Sequence, residues 1–221
     1  MATWWTRPSQ RRLFSSVSID EDNHGRWMSS VVLSGSKVHL LGYVRSLWQF
    51  MDMGTKYTMQ DLARDSGEYL SALHNLRSLT LVNTMIEHIS EDQLHTCFSA
   101  FRQTLTSLFL DTFATSLSAF VTLIDHFPNI ATLRIDWLEV EPDEGPVPSL
   151  SRPLRGKLHL HDVQDDCLEF FNRFDKLDLE YEELVIGYSP STLAEGPLEH
   201  ALQMGAGTVK ILRLTDELQR E

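Results

Sequence analysis

Residues 76–81 of this chain read Leu76-Arg77-Ser78-Leu79-Thr80-Leu81, and the three apolar positions of this phrase decide the fold. The same apolar-x-x-apolar-x-apolar phrase returns at residues 105–110 and 130–135. In a β-strand, side chains alternate between two faces, so positions four and six of the phrase point into a core and position five points away from it. A phrase that recurs at such intervals is typical of a repeat architecture.

Five further segments follow the phrase more loosely. The eight segments begin at residues 14, 44, 76, 105, 130, 155, 174 and 209. The intervals between them run from 19 to 35 residues, which leaves room for the crossover that a parallel strand pair requires. The sequence therefore predicts an α/β leucine-rich-repeat solenoid, a curved parallel sheet with helices on its convex side and irregular repeats. The alternative is an ordinary α/β domain in which the phrase recurs by chance.

The intervals carry signals for the returning segments. Residues 90–93, Ser-Glu-Asp-Gln, form a capping box that opens a helix. Apolar residues at helical spacing predict further helices at 94–101, at 117–124, before Leu76 despite Gly67, and around 167–171 and 193–202. Residues 139–153 are acidic and proline-rich, so we expect an exposed loop there in place of a helix.

The charge of the chain limits its partners. The 221 residues carry a formal net charge of -12 at pH 7. Such a surface repels a phosphate backbone, so we expect no nucleic-acid partner, and basic protein surfaces are better candidates. The two cysteines, Cys97 and Cys167, indicate neither a zinc site nor a disulfide framework. With no signal peptide and no membrane-spanning stretch, we expect the cytoplasm or nucleus and no membrane partner.

Three segments resemble a known family. Residues 12–19 (Arg-Leu-Phe-Ser-Ser-Val-Ser-Ile) are similar to the segment that follows the F-box in basidiomycete (fungal) F-box/leucine-rich-repeat proteins. Residues 43–48 (Tyr-Val-Arg-Ser-Leu-Trp) resemble a strand of the same proteins, and residues 73–79 resemble their entry into a repeat strand. The resemblance covers nearly all of residues 10–221.

The resemblance implies an order of domains: an F-box that binds a Skp-type adaptor, followed by repeats that recognise a substrate for a cullin ubiquitin ligase. Only eleven residues precede Arg12, too few for an F-box. We therefore interpret residues 1–13 as a remnant of an F-box or a disordered lead-in, and residues 14–221 as the repeat domain. Adaptor binding is expected only if an F-box lies upstream.

The function that this implies is a protein-binding module, not an enzyme. The substrate would be a protein or peptide on the concave face of the sheet, where position five and the column beside it point. Aromatic and arginine side chains dominate interface energies. The candidate partner-binding residues are Trp48, Phe50, Thr80, Phe109, Arg134, His159, Asp178 and Arg213.

No catalytic constellation, cofactor motif or metal site emerges from the sequence. His159 and His161 would share a strand face, but two imidazoles do not complete a metal site. There is no nucleophile elbow and no phosphate loop. Two alternatives stay open: a truncated or structural repeat fragment with no independent activity, and a small enzyme whose site is built by loops.

Overall fold

The computed structural model describes residues 6–29, 38–50, 57–86, 89–141, 149–161, 179–188 and 208–216. The helices of these segments are α1 (Thr6–Leu13), α2 (Glu21–Trp27), α3 (Met59–Leu70), α4 (Glu91–Phe98) and α5 (Leu117–His126). Short 3-10 turns occupy Val38–Tyr43 and Ser99–Phe101. The described part of the lead-in at residues 1–13 is therefore helical.

The strands form one parallel sheet that does not close. They are β1 (Ser16–Ile19), β2 (Ser46–Phe50), β3 (Tyr57–Thr58), β4 (Ser78–Val82), β5 (Thr84–Ile86), β6 (Ser107–Ser116), β7 (Thr132–Glu141), β8 (Leu154–His161), β9 (Leu179–Tyr188) and β10 (Ile211–Asp216). The sheet order is β1-β2-β4-β6-β7-β8-β9-β10, with β5 beside β6 and β3 beside β5. The predicted α/β class with a parallel sheet is confirmed.

Equivalent positions of the phrase stand beside each other in the sheet. Position four of β1 pairs with position four of β2, and this register continues from strand to strand across the sheet. The position-four row is Val17, Leu47, Leu79, Leu108, Leu133, Leu158, Leu184 and Leu212. Most of this row is buried, because it faces the helices and belongs to one apolar core.

The phrase that is predicted to begin at residue 174 is out of register with the strand that pairs with β8. His159 pairs with Val185, and Leu158 pairs with Leu184. The phrase that stands in register is therefore Tyr181-Glu182-Glu183-Leu184-Val185-Ile186, which begins 26 residues after the segment at 155 and 28 before the segment at 209. The spacing of the strand phrases is accordingly more even than the sequence predicts.

One backbone conformation recurs just after three of the strand phrases. Asn83, Thr112 and Trp137 have φ of 56°, 50° and 52°, and each is the eighth residue counted from the start of its phrase. A single left-handed residue rotates the strand and so reverses the alternation of side chains, with no shift in the register between β6 and β7. The next residues, Thr84, Phe113 and Leu138, are consequently buried.

The strand that contains Trp137 is longer than the sequence predicts. β7 continues through Glu141, so the first three residues of the expected loop at 139–153 lie in a strand. Residues 142–148 lie outside the described residues, and the chain from 149 to 153 carries no helix before β8 begins at Leu154. The helices expected around 167–171 and 193–202 also fall outside the described residues.

A polar side chain begins α4 as the sequence predicts. Ser90 accepts a hydrogen bond from the backbone N–H of Gln93, and the Gln93 side chain accepts one from Ser90, which completes the capping box of α4. Thr58 forms an equivalent box with Asp61 on α3. Gly67 does not break α3. A Cβ at this position would lie 3.2 Å from the Thr96 methyl group, so glycine permits α3 to approach α4 closely.

Gln49 is the one polar residue in the position-six row of the core. It is only 2% exposed, and the Tyr69 hydroxyl on α3 donates a hydrogen bond to its side-chain oxygen. Burial raises the pKa of Tyr69, so the hydroxyl keeps its proton. This pair explains why the segment at residue 44 ends on a polar residue: the core supplies a partner for it.

We expect Tyr69→Phe and Gln49→Leu each to lower the free energy of unfolding by about 1–3 kcal/mol, because each leaves a buried polar group without its partner. The double variant Gln49→Leu/Tyr69→Phe should recover most of this loss, since both partners are then apolar. Urea unfolding of all four proteins measures the effect. A double variant whose loss equals the sum of the two single losses would contradict the pairing.

Candidate partner-binding face

One face of the sheet carries exposed side chains in the part of the chain that the structure describes. On β2, Leu47 and Gln49 are buried, whereas Trp48 and Phe50 are 50% and 38% exposed. We call the face that carries position five the open face. Its central row, in register from strand to strand, is Ser18, Trp48, Thr80, Phe109, Arg134, His159, Val185 and Arg213.

This row contains six of the eight predicted partner-binding residues, and Phe50 lies two positions after Trp48 on the same face. The eighth, Asp178, lies outside the described residues. The register places Val185 beside His159 where the sequence reading placed Asp178. The two placements differ because the prediction aligns the phrase on Phe174, whereas the strand is aligned on Tyr181.

Aromatic side chains mark the β1 side of the open face. Trp48 and Phe50 project from β2, and Phe109 on β6 is half-buried. Thr80 stands between Trp48 and Phe109 in the register but is only 3% exposed. Its buried hydroxyl oxygen has no hydrogen-bond partner among the described residues. Thr80 is therefore covered by the chain itself and offers little surface to a partner.

Arg134 is fixed in the middle of the open face by its own strand. Its guanidinium Nε donates to the two carboxylate oxygens of Asp136 at 2.9 and 3.0 Å, and both side chains are half-buried. A two-residue spacing on a strand places both groups on one face, which allows this pair. The arginine is thus held in a defined direction, and its stem and planar head can still be contacted.

A charge network occupies the far side of the face. The buried Glu183 carboxylate lies 2.6 Å from the Lys157 ammonium and 3.3 Å from the Arg213 guanidinium. The hydrogen bond from Lys157 is the main reason that the pKa of Glu183 lies below its usual value. The sequence reading missed Glu183. Alignment of the phrase on Tyr181 would have placed it beside Lys157.

His159 lies between Arg134 and Val185 in the register. Burial lowers its pKa, and the neighbouring His161 lowers it further. Its Nε2 atom is buried and has no hydrogen-bond partner among the described residues. His161 shares this face as expected and is 6% exposed. Within the described segments, no three histidine, cysteine or acidic side chains gather as metal ligands would.

Trp137 is an exposed aromatic residue that the sequence reading did not select. It is 50% exposed, as Trp48 is. Position eight of the phrase would point into the core if the strand alternated regularly. The left-handed φ of 52° reverses this and turns Trp137 outward. Asn83 at the equivalent position is a sequence signal for this left-handed conformation, because asparagine tolerates a positive φ.

A cleft of about 520 Å³ lies on the helix side of the sheet, between α4 and α5. Its titratable lining residues are Glu91, Asp92, His95, Arg102, Asp125 and His126. Burial lowers the pKa of His126 to about 4, so its imidazole is neutral at pH 7. The His126 Nε2 atom is buried without a hydrogen-bond partner in the described part of the chain, and so it is not presented to the cleft.

Other polar groups near the cleft form hydrogen bonds within the protein or are buried. Arg102 donates to the backbone carbonyl of His126, and Asp125 accepts hydrogen bonds from the backbone and side chain of Ser151. The Cys97 thiol on α4 is buried, which raises its pKa to about 12 and removes its nucleophilic thiolate at pH 7. This arrangement joins the helices to their neighbours.

Comparison with known proteins gave no relative for this chain: no family model, no curated protein and no solved structure matched it. Of the helices in the described residues, none has the length and apolar character needed to cross a membrane. Functional inference therefore depends on the geometry of the open face.

Proposed function

We propose that this chain is a leucine-rich-repeat recognition module that binds a protein or peptide on the open face of its sheet. The observation that carries the proposal is the pair Trp48 and Phe50, which are 50% and 38% exposed on a strand whose other side is fully buried. Aromatic and arginine side chains supply most of the energy of protein interfaces, and Trp48, Phe109 and Arg134 share one row.

The recurring register supports a repeat solenoid. Equivalent positions pair across eight strands, and the left-handed residue returns at position eight in three of the units. Repeat arrays of this kind offer extended binding surfaces, since every unit contributes the same position to one face. Helix caps at Thr58, Ser90 and Ser116 begin the returning segments in successive units.

The resemblance to F-box proteins extends the proposal. The partner would be a substrate for ubiquitination, and other subunits of a cullin ligase would perform the transfer. Contact with a Skp-type adaptor would require an F-box preceding the repeats. We propose a binding role without catalysis for the chain. Arg134, Lys157 and Glu183 are held in ion pairs, which fixes their side chains on this face.

A structural repeat fragment is the second candidate. Leu212 and Leu214 occupy core positions of β10 and are 42% and 48% exposed, whereas Leu184 and Ile186 at the equivalent positions of β9 are 2% and 8% exposed. A chain that functions only within a longer array would self-associate through such residues.

The variants Trp48→Ala and Arg134→Ala test the open face. We expect each to weaken binding of a protein partner by about tenfold or more, because a central aromatic or arginine contact is lost. Proteins captured from a lysate of the source organism by the wild type would be purified, and their affinities measured by titration calorimetry against each variant.

The matched control is Leu13→Ala, which changes a 74% exposed residue that lies outside the sheet. It should leave the affinity unchanged. Partners that bind both folded variants as tightly as the wild type would exclude the open face as their site. Self-association of the wild type in sedimentation, with no partner captured, would favour the fragment.

A further inference from the structure

Trp137 occupies a position at which the backbone does not favour tryptophan. Its φ of 52° lies in the left-handed region, where a bulky side chain is a genuine outlier. Asn83 and Thr112 adopt the same conformation at the equivalent position of the two preceding units. The left-handed conformation therefore recurs at the same position of three strand phrases, and it favours asparagine or glycine. Packing does not explain the indole either, because half of its surface is exposed.

Carboxylate residues lie close to this tryptophan along β7 and on the neighbouring strand. Asp136 precedes it, and Glu139, exposed, follows two residues later on the same strand. Asp111 pairs with Asp136 across the neighbouring strand, and adjacent strands lie about 5 Å apart. The Arg134 guanidinium engages Asp136. Three acidic residues and one basic residue thus lie near Trp137 on β6 and β7, in a chain with a formal net charge of -12.

The acidic residues and Trp137 all lie on strands of the sheet. Asp111, Asp136, Trp137 and Glu139 all belong to β6 and β7, whose ladder runs from Ser107 and Thr132 to Ser116 and Glu141. The Asp111 carboxylate also accepts a hydrogen bond from the Thr112 hydroxyl at 3.1 Å, which fixes its direction. We call these four residues the Trp137 patch.

We propose that the Trp137 patch is a docking site for a basic segment of a protein partner, with an arginine or lysine of that segment stacked on the indole. Tryptophan is the aromatic residue that attracts cations most strongly, and flanking carboxylates strengthen the attraction. This inference rests on the proposed recognition function and names the chemistry of its partner. It also gives a reason for a tryptophan with a left-handed backbone, because this backbone turns the indole outward on the same face as the acidic residues.

The test uses a fluorescein-labelled peptide of alternating arginine and glycine, titrated with the full chain and followed by fluorescence anisotropy. We expect Trp137→Ala to weaken binding of this peptide about fivefold, the size of a cation–π contact. Trp137→Phe keeps an aromatic ring and should retain most of the affinity. Circular dichroism and thermal unfolding would establish that each variant is folded.

Leu13→Ala is the control, because Leu13 is 74% exposed but lies on α1, outside the sheet and away from the patch. It should bind the arginine peptide within about twofold of the wild type, as expected of a residue outside the site. Glu139→Gln should weaken binding by a further measurable amount at low salt. A peptide in which glutamate replaces arginine should not bind.

Equal affinity of the wild type and Trp137→Ala would overturn the proposal. Equal losses in Trp137→Ala and Leu13→Ala would also overturn it, since they would indicate diffuse attraction to an acidic protein. The peptide assay does not involve the natural partner. A negative result here would therefore leave the open-face proposal to its own test, and failure of that test would leave this result standing.

Discussion

Replacing Gly156 by alanine is expected to lower the free energy of unfolding by about 4 kcal/mol, enough to unfold much of a marginally stable protein. Gly156 has φ of 104°, a conformation that residues with a Cβ rarely adopt. A Cβ built there would overlap the carbonyl oxygen of Ala131 and lie 2.9 Å from its carbonyl carbon. The obstacle is backbone, which cannot move aside as a flexible side chain can.

The clash would also break the ladder between β7 and β8. The Ala131 carbonyl accepts a 2.9 Å hydrogen bond from the Lys157 N–H, so pushing this carbonyl away removes the first bond of the pair. The register on the other side of β8 shifts at the same point, where Glu182 has no counterpart. Gly156 thus lies at an irregularity that both neighbouring strands depend on.

Gly25→Ala provides the matched control. Gly25 lies within α2, and a Cβ at this position would meet no atom within 4 Å. Alanine should be neutral or stabilise the protein by up to about 1 kcal/mol, because it favours a helix more than glycine does. Chemical unfolding measures both variants. A Gly156→Ala protein as stable as Gly25→Ala would show that β8 does not adopt this backbone.

Phe98→Ala is expected to be the second large loss, about 3–5 kcal/mol. Phe98, Phe101 and Phe127 are fully buried, with ring centroids separated by 5.5 to 6.1 Å. The cluster joins the end of α4 to the segment after α5, so the loss of the central ring leaves a cavity between two structural units. Tilted contacts between the rings add to the effect of burial.

The same substitution on the open face gives the comparison. Phe50 is 38% exposed on β2, and Phe50→Ala should cost less than about 1 kcal/mol, because no closed cavity forms. Thermal and urea unfolding of the two variants would be measured side by side. Losses of similar size in Phe98→Ala and Phe50→Ala would contradict the assignment of one residue to the core and the other to a surface.

Much of the strand pattern follows from local rules. The phrase at residues 76–81 predicts β4, and Leu79 and Leu81 are indeed buried. The capping box at Ser90 predicts the start of α4, because its two hydrogen bonds involve residues only three apart. The prediction at residue 174 was wrong about register. Phe174 and Tyr181 begin similar phrases, and only pairing with β8 selects the second of them.

The candidate site was predictable to a similar extent. Alternation places Trp48, Phe109 and Arg134 on one face, and the register confirms this placement. It does not reveal that Thr80 is covered, since burial on a sheet face depends on the size of the neighbours in adjacent strands. Nor does it reveal the Arg134–Asp136 pair, which depends on the rotamers of both side chains.

The sequence by itself determined the period of the strands, the starts of several helices and the direction of the residues within each phrase, because these depend on contacts between residues close in the chain. Only the tertiary structure decided which phrase follows β8, which aromatic residues stay exposed and where Glu183 meets Lys157. These features depend on pairing between strands about 25 to 30 residues apart. Trp137 shows the difference most clearly: alternation would place it in the core, and the left-handed backbone at this residue turns it to solvent.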